Sequence, residues 1–177
     1  GVGALVVRKL NRDFELKPLM FGGEQEKKLR PGTLNVAGIV GFSHALHKTV
    51  TMRHQENDRL SKLRQLFCEE LQAKLPQAVV TVPGSGLHNL IHVTIPGIDN
   101  ERVMMELDEQ GVMCAVGSAC SASSDEPSHV LKAIGLTEEQ AQTSLRFTRG
   151  RATTEADVIR IVTALVGCVQ LLPDRFR

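Results

Sequence analysis

The chain has 177 residues, 42% of them hydrophobic and 23% charged. This suits one soluble domain, or one domain with a piece of another, and the length allows a sizeable core without disulfides or metals. The net charge is only +1, and Trp and Tyr are absent, which excludes a basic nucleic-acid surface and a base-stacking platform. There is no targeting signal and no apolar run of bilayer-spanning length, so no membrane partner is expected; a start at Gly1 rather than Met suggests a processed chain or a proteolytic remainder.

Gly1 to Arg8 (GVGALVVR) reads as a glycine-rich turn entering a short buried strand, and little in the chain could cover both faces of that strand. A polar stretch follows, with turn signals at Gly22-Gly23 and Pro31-Gly32. From Leu34 the pattern is helical. Val36, Ile39 and Val40 share one face, and Leu60, Leu63, Phe67, Leu71 and Leu75 keep the same step until Pro76. The solvated region between these two runs predicts a long helix broken near residues 50 to 55.

Beyond Pro76 the texture changes. Residues 78–82 (AVVTV) and 90–95 (LIHVTI) read as strands joined by a turn over residues 83–86. Asn100 is placed to cap a helix carrying Val103, Met104 and Leu107, which Gly111 ends. Val112 to Val116 reads as a strand, and Gly117 to Ser124 (GSACSASS) as a loop of small residues. Pro127 suits the first position of a short helix ending at Gly135, and Thr137 with Gln140 forms a capping box for the next. Ser144 to Thr148 alternates as a strand with Leu145 and Phe147 towards the core. A last helix starts near Thr153 or Thr154 and runs to Pro173. The order predicts an α/β fold, a largely antiparallel sheet covered by helices over residues 55–177, with residues 1–54 as the edge of something larger.

The four cysteines, Cys68, Cys114, Cys120 and Cys168, match neither a zinc site nor a disulfide framework, which suggests reduced thiols in a reducing compartment. Cys68 and Cys168 lie beside helical apolar stripes and read as core, and Cys114 reads as a buried strand residue. Cys120 differs, because its polar small-residue loop offers the access that a nucleophile needs; a free thiol without a role fits the same pattern. Arg146 points away from the core face of its strand, where its fork suits a carboxylate if that face lines a cleft, and an exposed arginine if it does not. Thr33, in Arg30 to Thr33 (RPGT) ahead of a helix, reads either as an N-cap or as a phosphate contact. Arg149 and Arg151 read as structural or surface residues. His44 and His47 lie three apart with no third ligand nearby, so no metal site is expected.

Together these segments resemble the NifS/IscS-type cysteine desulfurases of the class V aminotransferase superfamily of pyridoxal-phosphate (PLP) enzymes. GVGAL is similar to the turn and strand after that family's PLP lysine. Gly22 to Leu34 (GGEQEKKLRPGTL) resembles its G-G-x-x-E-x-x-x-R-x-G-T segment, Gly117 to Gly135 its catalytic-cysteine loop, and Ser144 to Arg151 (SLRFTRGR) its S-I-R-F-S-x-G-R segment. The resemblance implies a fold-type I PLP enzyme, with residues 1–54 ending the large domain and residues 55–177 forming the small C-terminal domain. It implies that Cys120 takes sulfur from L-cysteine as a persulfide, leaving alanine. It also implies that Arg146 holds the substrate carboxylate and that Thr33 contacts the PLP phosphate. A homodimer and a sulfur-acceptor or iron–sulfur scaffold partner follow from it, in the cytoplasm or a reducing organelle matrix. The PLP lysine falls upstream of Gly1, so the chain alone is expected to be inactive. A non-catalytic module binding a sulfur acceptor or a partner desulfurase chain stands as an alternative. So do a lyase acting on selenocysteine and a PLP enzyme of the same superfamily without sulfur chemistry.

Overall fold

The computed structural model describes residues 1–7, 16–81, 86–116 and 128–171. The chain divides into two compact units, Gly1–Arg53 and His54–Arg177. In the first, residues 1–7 form no strand, and Leu5, Val6 and Val7 are exposed. The buried strand expected there is therefore absent over the described residues. A strand needs a neighbour to take its backbone hydrogen bonds, and no strand is described elsewhere in this unit. Arg8 lies outside the described residues.

Helix α1 (Val36–Lys74) contributes to both units and runs without the expected break. Residues 50 to 55 hold no Gly or Pro to interrupt it, and the hydroxyls of Thr49 and Thr51 donate to the carbonyls of Ala45 and His47, four residues back. The helix ends at Lys74, one residue short of the position that Pro76 restricts.

In the second unit four strands form one antiparallel sheet in the order β1-β2-β4-β3: β1 (Val79–Thr81), β2 (Leu90–Thr94), β3 (Ala115–Val116) and β4 (Ser144–Thr148). The predicted antiparallel sheet with helices is thus the architecture found. Register is set by the face that must be dry. Ile91 opposes Phe147 and Val93 opposes Leu145, and all four are buried. Phe67 and Leu71 of α1 join this core, as do Val103 and Leu107 of α2 (Asn100–Glu109) and Val158, Val162 and Leu165 of α5 (Glu155–Leu171). The rings of Phe67 and Phe147 meet at 5.6 Å, tilted by 48°. Each is a contact whose truncation to alanine costs about 3–5 kcal/mol in such cores.

The helix ends repeat or correct the sequence reading residue by residue. Thr137 and Gln140 form the expected capping box at the start of α4 (Glu138–Gln142). Gly111 and Gly135 follow α2 and α3 (His129–Ala133) with φ of +72° and +92°, a left-handed backbone that glycine adopts at least cost. Helix α2 is capped by Asp99, whose carboxylate accepts from Arg102 N at 3.0 Å. Asn100, the expected cap, is instead the first helical residue, and its amide donates to the carbonyl of Ser144 at 3.1 Å. Strand β3 is shorter than expected, leaving out residues 112–114. Pro127, residues 82–85 and Gly117 to Ser124 lie outside the described residues.

Candidate functional site

The second face of the sheet is polar. Directly opposed residues share a face, so Thr81, His92, Arg146 and Ala115 form one row across β1, β2, β4 and β3. At the next level Thr94 and Ser144 hydrogen-bond to each other at 3.0 Å, and the Ser144 hydroxyl also donates to the carbonyl of Gln140, which ties this end of the face to α4. Arg146 stands in the open part of the face. It is exposed, while Leu145 and Phe147 on either side of it are buried. Among the described residues its side chain makes no hydrogen bond or ion pair, so its planar fork is left for an anion from outside.

His92 went unassigned in the sequence and is buried beside Arg146, at 8% exposure. Its Nδ1 lies 3.2 Å from the Thr81 hydroxyl, and its Nε2 is sealed without a partner. Burial, and then the positive charge of Arg146, holds this imidazole below its ordinary pKa of 6.5. The lowered value favours the neutral ring in the folded state. Its contribution to stability is therefore complete above the unfolded pKa and is lost as pH falls below about 6.5, where the unfolded chain takes the proton first. His92→Asn is expected to flatten the acid limb of stability against pH, by up to about 1.4 kcal/mol per pH unit. Chemical denaturation at several pH values measures it, and an unchanged acid slope in the variant sinks the assignment. The signal was present in LIHVTI, where His92 alternates with Ile91 and Val93. Only strand pairing could put it next to Arg146.

Thr33 belongs to the first unit. It follows Gly32, whose φ of +101° makes the turn, and the Gly32 N–H is held by the side-chain oxygen of Gln25 at 3.1 Å. Thr33 is not the N-cap. Asn35 caps α1, its Oδ1 accepting from Gly38 N at 2.9 Å. The capping job is thus done two residues later, which leaves the exposed Thr33 hydroxyl without a partner among the described residues. A free hydroxyl on a glycine turn ahead of a helix fits the phosphate end of a PLP cofactor.

Cys120 lies outside the described residues. The other three thiols are all held in the protonated form. Burial pushes Cys114 up to about 11, helped by Asp108, and burial likewise raises Cys68 and Cys168. Cys168 is buried as expected, whereas Cys68 and Cys114 are only half-buried. Among the described residues no group of three His, Cys, Asp or Glu could hold a metal ion, and no helix is long and apolar enough to cross a membrane.

The chain is 41% identical to the cysteine desulfurase IscS of Dictyoglomus turgidum over 159 residues, which is 89% of this chain and 40% of that protein. It is 39% identical to cysteine desulfurase IscS 1 of Archaeoglobus fulgidus over 97% of this chain and 44% of that protein. A solved NifS-like protein superposes with a TM-score of 0.77 at 26% identity, over 91% of this chain and 41% of that one. The chain thus spans about two fifths of the length of the curated relatives it matches. The family model for class-V aminotransferases matches residues 1–161, through the Thr33 turn, the polar sheet face and into α5. This chain therefore belongs to the class-V aminotransferase family.

Proposed function

We propose that this chain is the sulfur-accepting part of a cysteine desulfurase, an enzyme that converts L-cysteine to L-alanine and a persulfide. The observation that carries the reading is the similarity to proteins named cysteine desulfurase over 89% and 97% of the chain. In this reading residues 1–54 end the large PLP-binding domain and residues 55–177 are the small domain. Bound PLP supplies the electron sink that loosens bonds at the substrate α-carbon. The chain's own residues do the rest. Thr33 donates its hydroxyl to the cofactor phosphate. Arg146 receives the substrate carboxylate on its free fork and so orients the thiol. The Cys120 thiolate attacks the substrate sulfur; an S–S bond forms as the C–S bond breaks, and a proton completes alanine. The three raised thiol pKa values support Cys120 as the acceptor, since a nucleophile must be a thiolate.

The persulfide then suits transfer to an acceptor, such as an iron–sulfur scaffold or a tRNA-thiolation protein, in a reducing compartment. The apolar side chains left open in the first unit, Val36, Ile39, Val40 and Leu46 on α1 with Leu19 and Phe21, support a further chain surface against them, which we read as that of a homodimer. The test is alanine release from L-cysteine with PLP and a thiol reductant, by this chain and by a version extended upstream through a PLP lysine. Release by the extended protein alone is the expected result. No release by either removes the desulfurase reading.

A further inference from the structure

Two arginines of the second unit are buried, and among the described residues neither pairs with a carboxylate. Arg64 of α1 is 7% exposed and Arg149, just after β4, is 4% exposed. They bracket one residue. Arg64 Nη1 lies 3.5 Å from His88 Nδ1, and Arg149 Nη2 donates to the His88 carbonyl. Arg149 also reaches the carbonyl of Leu60 at 3.5 Å, which staples α1 to the end of β4, but its Nε is buried without a partner. The Nε and Nη2 of Arg64 have no partner among the described residues either, and they are not sealed from solvent. Burial and then the neighbouring Arg64 push Arg149 down to about 10, with Arg59 adding to the repulsion. Arg59 itself is matched by Glu56 at 2.8 Å.

Two fixed charges taken out of water together are costly unless a counter-charge joins them. Carbonyls answer only part of this, because they bring dipoles and no charge. Guanidinium forks match oxyanions in geometry, and two of them match a charge of −2. We propose that Arg64 and Arg149, on either side of His88, form a binding site for a small dianionic oxyanion of the phosphate or sulfate kind. The ion enters from the side of Arg64, whose free N–H groups it meets first, and sits in the field of Arg149 behind it. Both guanidinium groups belong to buried residues, which favours a small ion over a large ester. The site lies away from the row that carries Arg146 and does not depend on the desulfurase reading.

The test is the thermal midpoint of this chain in inorganic phosphate against sodium chloride at matched ionic strength. A saturable rise is expected, of roughly 5–10 °C at a hundred times the half-saturating concentration. Arg64→Met, which leaves every Arg149 bond in place, is expected to lose the rise, and Arg149→Met to do the same if it folds. An equal rise in wild type and Arg64→Met overturns the site, as does no rise at all. An equal rise with phosphoserine in place of phosphate overturns the small-ion assignment.

Discussion

Cys120→Ala is expected to abolish persulfide formation in the desulfurating protein, by roughly a thousandfold or more, or about 4 kcal/mol of transition-state stabilisation, while the unfolding midpoint stays put. The size follows from the lack of a substitute. Cys114 sits near 11, and Cys68 and Cys168 are raised by burial, so at neutral pH these three are thiols rather than thiolates. The same contrast is readable without turnover. Alkylation of the native chain should modify Cys120 first and the other three only slowly, as followed by mass spectrometry of the peptides. Equal labelling of Cys68 or Cys114, or desulfuration surviving in Cys120→Ala, would take the acceptor role away from Cys120.

Arg146→Ala is expected to cost a hundredfold or more in kcat/KM for L-cysteine, about 3 kcal/mol, with much of it in KM. The Arg146 side chain has no hydrogen-bond or ion-pair partner among the described residues, and it stands exposed between two buried residues, so stability should hardly change. Arg146→Lys should recover little, because one ammonium does not reproduce a bidentate fork. The discriminating readout is the split. A large fall in midpoint with KM unchanged would make Arg146 a structural residue. Removing His92 tests the neighbouring position by a different route, through pH, since its sealed ring feels the Arg146 charge directly.

The sequence alone was enough for elements whose signals are local. The Thr137–Gln140 capping box, the glycine ends at Gly111 and Gly135, and the alternation that buries Leu145 and Phe147 around an exposed Arg146 each depend on neighbours a few residues apart. Motif order along the chain also made the family legible, because it survives without knowledge of contacts. Local signals failed where two residues compete for one role. Asp99 rather than Asn100, and Asn35 rather than Thr33, take the cap, and in each case the displaced residue is left with another job or a free hydroxyl. Helix α1 crosses residues 50 to 55 because a polar stretch without Gly or Pro need not be a break. Only the tertiary structure decided that His92 lies beside Arg146, since strands β2 and β4 pair across more than fifty residues. Only it could show Arg64 and Arg149 converging on His88, with no acid paired to either among the described residues. Pairing and burial are set by what the whole core excludes from water, and that is not written in any short stretch of the chain.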